Sequence, residues 1–427
     1  MKLRRDAPWL ALAILTAIYI VGFADRIVLN VLAIPIQREF GLSDTQVGLM
    51  TGLAFSVLNV TLAIVVARYA ERGSRITLVA VGTLLWSIAT ALCGFVSSFT
   101  GLLLARIGVG VGEAVGLPAN QSIVADFFPP SRRATAMSVL LLAPPVGAFL
   151  GSAGGGWIGQ EYGWRTAFLV ATVPGLVLAL LAWLLIAEPP RGRYDAEAST
   201  AVPPIRAVAG RLFGLPSARQ LLFGSTLASM VGFGLNAFLV ILLTRKFGLP
   251  LAQAGLLSGL IGSLPGAIAV LGGGRIADAL GARNPAAYAL VPGFALIVGG
   301  ALYIAGILQT ALVPMLALIS IGAVFQYAYL GVTFGVFQNL MHSRMRATGY
   351  ALLNAIYGLI GQGLGTVMVG VLSDRLAPLY GASQALVYAL AIGALLYFWA
   401  GAHYLLAARH LKRDLAAVRE TPAAEFA

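Results

Sequence analysis

The sequence has little charge. Asp, Glu, Lys and Arg make up 10% of its 427 residues, against roughly 25% in a soluble globular domain. Hydrophobic residues make up 59%. So few ionised groups cannot cover the chain with a solvated surface, so the solvent it implies is lipid. Lysine occurs only at Lys2, Lys246 and Lys412, and no Gly-x-x-x-x-Gly-Lys-[Ser/Thr] loop is present, which excludes a P-loop ATPase. The single cysteine, Cys93, excludes an intrachain disulfide and sits in an apolar run, where packing is its expected role. His342, His403 and His410 lack metal-ligand spacing. No nucleophile elbow and no His-Glu-x-x-His occurs, so neither an enzyme nor a metal or other cofactor is expected. Gly108, Gly110 and Gly112 do not form a dinucleotide fingerprint, because no strand precedes them.

The chain is rich in glycine, at 51 residues, and in long apolar runs. Glycine lets membrane helices approach closely, and a crossing needs ~20 residues at 1.5 Å each. Runs of that length fall at about 8–36, 44–67, 76–98, 100–127, 133–156 and 164–187. Six more fall at about 218–244, 250–273, 284–306, 309–340, 347–373 and 383–408. The expected architecture is all-α, with twelve transmembrane helices. Residues 1–187 would form an N-terminal six-helix bundle and 188–217 a cytoplasmic central loop. Residues 218–427 would form a C-terminal six-helix bundle with a short cytoplasmic tail. The basic start and apolar run of residues 1–36 resemble a signal peptide, but the run continues to Pro35 without a small-residue cleavage site, so it reads as a retained first span.

Orientation follows from the basic residues. With the N-terminus inside, 21 of the 28 Lys and Arg lie in inner segments, five in outer ones, and Arg26 and Arg106 within spans. This is the positive-inside bias. It accounts for the formal charge of +12 without nucleic acid, and it places both termini in the cytoplasm. Short loops suggest a multi-pass protein of a bacterial cytoplasmic (inner) membrane, acting as a monomer.

A repeat joins the two halves. Ala67-Arg68-Tyr69-Ala70-Glu71-Arg72-Gly73-Ser74-Arg75 follows the second run. Gly274-Arg275-Ile276-Ala277-Asp278 follows the eighth, with Arg68 and Arg275 207 residues apart. Duplicated halves mark secondary transporters. The repeated loop resembles motif A of the major facilitator superfamily, with Ala67 and Glu71 where Gly and Asp are usual. Other stretches narrow the likeness: Asp25-Arg26 through Pro35, Gly41-Leu-Ser-Asp44, Arg106-Ile-Gly108-Val-Gly110-Val-Gly112-Glu113-Ala114, Asp126-Phe-Phe-Pro129, and Gly163-Trp164-Arg165. These resemble the Spinster-like branch, most strongly over residues 20–190. The anion:cation symporter branch shares the Gly-Glu-Ala. The Spinster resemblance implies two bundles rocking about a central cavity and a lysophospholipid or sphingolipid-like substrate. A departure stands at Ile27-Val28, where many relatives carry Gln.

Four charged residues lie deep in the runs: Asp25, Arg26, Arg106 and Glu113. Each costs ~2.5–3.5 kcal/mol to insert, and their charges sum to zero, which fits mutual pairing. Arg106, Gly110 and Glu113 follow i, i+4, i+7 spacing and share a face, with Arg106 and Glu113 ~10.5 Å apart along the axis. Asp25 or Arg26 is therefore expected to bridge them. A carboxylate whose water access and Arg partner change during a transport cycle can load and release a proton. Glu113 is the first candidate for that role and Asp25 the second, with Arg26 and Arg106 as counter-ions or headgroup ligands. Arg68, Glu71, Arg72, Arg75 and Asp278 are candidates for gating at the cytoplasmic ends. Gly147, Gly151 and Gly155 read as a close-packing line. In the second half Asn236, Gln326, Tyr327, Asn354 and Tyr357 are candidate substrate-cavity residues. The function these residues suggest is proton-coupled movement of an amphiphile by alternating access, with the bilayer and protons as partners. A proton-coupled carrier of small organic anions, or a drug/proton antiporter, is the alternative.

Overall fold

The computed structural model describes residues 7–70, 73–191, 193–194, 205–341 and 345–420. Every element that positions the site is a helix. In chain order they begin with α1 (Pro8–Phe40), α2 (Asp44–Gly48), α3 (Ala54–Ala70), α4 (Arg75–Phe95), α5 (Phe99–Glu113) and α6 (Gly116–Phe127). α7 (Pro130–Leu140), α8 (Ala143–Tyr162) and α9 (Trp164–Leu185) follow. After the central segment come α10 (Ile205–Gly214), α11 (Pro216–Phe247), α12 (Leu251–Gly281), α13 (Ala287–Ile307) and α14 (Leu312–Leu340). α15 (Arg346–Ile356), α16 (Gly365–Ala394) and α17 (Leu396–Glu420) complete the chain.

Among the described residues ten helical runs are long and apolar enough to cross a membrane. One of them, Thr348–Val418, has 71 residues. That is ~105 Å of helix, more than one bilayer can hold. Gly381, at φ 76°, takes a left-handed conformation that only glycine adopts freely and divides this run into two crossings. The fourth expected crossing is made of two shorter helices: α5 stops at Glu113 and α6 starts at Gly116. With that run divided and α5 and α6 taken as one crossing, the twelve expected crossings lie among the described residues. The central segment, expected as a loop, contains α10. Its Val208 and Leu212 are buried, and Arg211 Nε donates to the Leu340 carbonyl at 2.9 Å.

Helix starts follow local chemistry. Ser74 and Ser98 cap α4 and α5 by accepting from Thr77 N and Gly101 N. Ser43 and Gln46 form a reciprocal capping box at α2, satisfying backbone donors that a helix start leaves free. α11 is capped from far along the chain: Asp414 Oδ2 accepts from Ser217 N at 3.0 Å. π-helical turns interrupt Leu49–Leu53 and Tyr357–Leu364.

Two compact units form. One comprises residues 1–198 with 236–263, the other 199–235 with 264–427. In the first unit glycine sets the distances between helices. A Cβ on Gly147 would lie 2.5 Å from the Ile20 carbonyl, and one on Gly151 2.4 Å from the Ala24 carbonyl. α8 thus lies backbone to backbone along α1. Gly112 does the same against α4, where a Cβ would meet Trp86 N at 2.5 Å. α8 is therefore drawn onto α1, which carries Asp25, and α5, which carries Glu113, onto α4.

Gly154 has nothing within 4 Å of its notional Cβ and serves as a control for Gly151. Gly151→Leu forces backbone apart and is expected to cost about 3 kcal/mol or more. Thermal unfolding of the detergent-solubilised protein should show a clear drop in midpoint for Gly151→Leu and almost none for Gly154→Leu. Equal midpoints would mean that the α1–α8 approach is not close.

Candidate functional site

The four membrane-buried charges meet within the first unit as two crosswise pairs. Arg106 NH1 donates to Asp25 Oδ2 at 3.2 Å, and Thr90 Oγ1 donates to Asp25 Oδ1 at 3.0 Å. Arg106 and Asp25 are each 2% exposed. Arg26 Nε donates to Glu113 Oε2. Glu113 is buried, while the Arg26 side chain is 30% exposed. The residues adjacent on α1, Asp25 and Arg26, reach different points of α5, which spans the ~10.5 Å between Arg106 and Glu113.

The two pairs differ in kind. Asp25–Arg106 is sealed, and both carboxylate oxygens are engaged. Removing one member of such a pair strands the other charge. Glu113 has one engaged oxygen and one free: Oε1 is buried and without a partner. Its cation is open on one side. The Arg26 guanidinium carbon lies 4.6 Å from the Phe55 ring centroid and 6.0 Å from that of Phe23, a cation–π seat that holds it while leaving donors available.

The glycines of α5 hold these charges in place. Gly110 presses on the Phe55 carbonyl, where a Cβ would lie 2.8 Å away. The Gly110 carbonyl accepts from Asn59 Nδ2 at 3.2 Å. α3 and α4 therefore touch opposite sides of α5 within one turn of Glu113.

The other expected residues are placed as follows. Arg75, in the motif A stretch, is 4% exposed. Its guanidinium reaches Asp126, Ser122, Glu188 and the Pro189 carbonyl, joining the ends of α4, α6 and α9. Glu188 also accepts from Ser74 Oγ and Ile76 N. Arg68 lies on α3, but its side chain falls outside the described residues, as do Glu71 and Arg72. Asp278 is exposed on α12 and hydrogen-bonds Tyr288. Asn236, in the part of α11 that belongs to the first unit, accepts from Asn30 Nδ2 at 3.2 Å. In the second unit Gln326 and Tyr357 are buried, Tyr327 is half-buried, and Asn354 Nδ2 donates to the Tyr350 carbonyl.

Sequence reasoning missed Thr90, Asn59, and the partners of Arg75. It also missed a second ionic clasp. Arg245 donates to both oxygens of Asp44, at 2.8 and 2.6 Å, and to Gln37 Oε1 at 2.7 Å. Asp44 is only 4% exposed. The available signal was an acidic residue following the capping serine at the mouth of an apolar run.

A helical chain with long apolar crossings, an internal repeat and a cluster of two ion pairs among those crossings is a multi-pass membrane carrier. The comparisons agree and narrow the class. The sequence profile of the Major Facilitator Superfamily matches residues 14–366, and the chain belongs to that superfamily, in its Spinster-like branch. A crystal structure titled as a bacterial homolog of the human lysosomal transporter Spinster, inward-facing and unoccupied, superposes with a TM-score of 0.87. It is 29% identical, over 95% of this chain and 98% of that one. A protein of Mycolicibacterium smegmatis named "MFS-type efflux pump" is 32% identical over 93% of both chains. Human "Protein spinster homolog 1" is 32% identical over 46% of this chain and 37% of its own length. The zebrafish (Danio rerio) "Sphingosine-1-phosphate transporter SPNS2" is 28% identical over 55% and 47%. The chain spans less than half the length of these two animal relatives. It is an integral multi-pass membrane transporter, not an enzyme.

The two ion pairs should separate in stability measurements. Asp25→Asn leaves Arg106 buried and uncompensated, at a cost of about 3–5 kcal/mol. Glu113→Gln leaves a cation that can turn to water, at a cost of about 1 kcal/mol or less. Thermal unfolding in detergent should therefore rank Asp25→Asn far below Glu113→Gln. A reversed order would contradict the fixed character assigned to Asp25–Arg106.

Proposed function

We propose that this protein is a proton-coupled carrier of an amphiphilic anion of the lysophospholipid or sphingolipid-like kind, working by alternating access. The observation that carries the proposal is the asymmetry of the two pairs. Glu113 is a buried carboxylate with one oxygen on Arg26 and one free, while Asp25 is held by Thr90 and Arg106. A proton therefore loads on Glu113, and Asp25–Arg106 stays as a fixed strut. When Glu113 is protonated, Arg26 loses its counter-ion and presents a half-open guanidinium to an anionic headgroup. A guanidinium pairs well with phosphate. One cation shared between Glu113 and the substrate makes the two binding events reciprocal: proton binding tightens substrate binding, and the converse.

The names of the Spinster-type relatives support an amphiphile, and Asn236, Gln326, Tyr327, Asn354 and Tyr357 supply polar and aromatic surface for its remainder. Arg68, Glu71, Arg72, Arg75 and Asp278 serve as the gating contacts at the cytoplasmic ends, with Arg75 anchored on Asp126 and Glu188. In this reading residues 1–187 and 218–427 form the two rocking bundles joined by the cytoplasmic segment 188–217. Both termini face the cytoplasm of a bacterial inner membrane, and a single chain suffices for transport. The second reading, a drug/proton antiporter, is favoured by the full-length likeness to the mycobacterial efflux pump.

Purified protein in proteoliposomes tests both readings. Labelled lysophospholipid and a cationic dye are followed with and without an imposed pH gradient, for wild type, Glu113→Gln and Arg26→Ala. Wild type is expected to move the lysophospholipid about tenfold faster with the gradient than without it, and Glu113→Gln to lose that response. Arg26→Ala should weaken substrate binding by about 2–3 kcal/mol, the scale of a charge-assisted contact. Dye movement without lysolipid movement would replace the lipid assignment with the antiporter. A Glu113→Gln protein that still responds to the gradient would remove the proton role.

A further inference from the structure

Three residues of the fourth crossing stand at seven-residue intervals: Arg106, Glu113 and Asn120. Seven residues are two turns less ~20°, so the three share one face and rise in ~10.5 Å steps. The interruption between α5 and α6 preserves this alignment. Ala114 (φ −57°, ψ −23°) and Val115 (φ −75°, ψ −31°) remain right-handed helical. Each of the three carries a buried polar atom without a partner: Arg106 Nε, Glu113 Oε1, and both Nδ2 and Oδ1 of Asn120. Asn120 is 0% exposed, so the whole amide head is enclosed with its hydrogen bonds unmade.

Buried polar groups in native proteins are nearly always paired, with protein or with bound water. An enclosed amide left dry costs its full desolvation, whereas a polar site of this kind ordinarily holds water making about three hydrogen bonds. Three such groups in line on one helix face, one of them the free oxygen of a transport carboxylate, form a set rather than isolated defects.

We propose that the Arg106–Glu113–Asn120 face binds a file of water, and that the water held by Asn120 is the proton's route between Glu113 and the cytoplasmic end of α6. This rests on the proton role assigned to Glu113. Asn120 is a positioning residue. Its Oδ1 accepts from a water and its Nδ2 donates to one, and the amide itself gains and loses no proton. A hydronium proton passes along the file to Glu113 Oε1, forming one O–H bond, while Oε2 remains beside Arg26. The reverse transfer returns the proton to water. The charged groups facing Glu113 are Arg26 and Asp25 from α1 and Arg106 from its own helix. α3 contributes Asn59, already committed to the Gly110 carbonyl. Further along α6, Ser122 and Asp126 are held by Arg75. Asn120, two residues before Ser122, keeps both amide atoms uncommitted among the described residues.

The experiment compares two transport modes in the same proteoliposomes, for wild type, Asn120→Leu, Asn120→Ser and Glu113→Gln. Gradient-driven uptake of labelled lysophospholipid requires Glu113 to exchange its proton with water in each cycle. Exchange of labelled for unlabelled substrate at equal pH on both sides does not. Asn120→Leu is expected to slow gradient-driven uptake about tenfold and to leave exchange within about twofold of wild type. Asn120→Ser, which leaves room for water and a hydroxyl to hold it, should recover most of the driven rate. Asn120→Leu that drives uptake normally overturns the inference, and loss of the gradient response in Glu113→Gln alongside it leaves the proton role standing. If Asn120→Leu impairs both modes equally, Asn120→Ser decides. A driven rate restored toward wild type with normal exchange supports the file, and equal impairment of both modes by Ser as well overturns it. Thermal unfolding gives an independent reading. A dry, unpaired amide predicts that Leu raises the midpoint, and that result also overturns the inference.

Discussion

The first unit depends on one fully buried ionic contact, the pair between Asp25 on α1 and Arg106 on α5. Two charges at mid-membrane are tolerable only together. Thr90 from α4 completes the carboxylate's coordination, so three crossings are tied at one point. Because Asp25 is fixed there, its neighbour Arg26 is turned toward Glu113, and because Arg106 is spent on Asp25, Glu113 has only Arg26. The asymmetry between a fully buried pair and one whose cation is partly exposed follows from adjacency on α1 together with the two-turn offset on α5.

Charge alone does not produce this arrangement. The helices approach closely enough only where side chains are missing. Gly110 meets α3 and Gly112 meets α4, and Gly147 and Gly151 bring α8 onto α1. The same glycines limit what can change nearby, since a methyl group at any of them collides with backbone rather than with a movable side chain. Bistability in a carrier needs rigid bodies that do not deform continuously, and backbone-to-backbone contact supplies that rigidity within the unit.

Much of this was legible in the sequence. The twelve crossings follow from run length and composition, because lipid leaves the backbone no alternative to helix. The four charges stood out because each is costly in an apolar run. Seven-residue spacing put Arg106 and Glu113 on one face and showed that they were too far apart to pair directly. Which cation takes which carboxylate was not legible, since that depends on the rotation of α1 against α5. Thr90, Asn59 and Asn120 were missed for a related reason: a lone hydroxyl or amide in an apolar run gives no pattern until a neighbour's unpaired group is seen beside it. No pattern in the sequence ties Asp126 or Glu188 to Arg75, and only the fold brings them both to it. The α5–α6 interruption was also invisible, because Ala114 and Val115 are no strong helix breakers.

The cap on α11 has a consequence for how the molecule is made. Ser217 N, at the start of the second set of crossings, finds its acceptor on Asp414, 197 residues later. Ribosomal synthesis runs from N- to C-terminus, so α11 exists before its acceptor does, and the Ser217 N–H is left to water until five further crossings have been made. The last turns of α17 close the unit that α11 opened. The cap on the first helix of the second set therefore forms only when the last helix of the chain is in place.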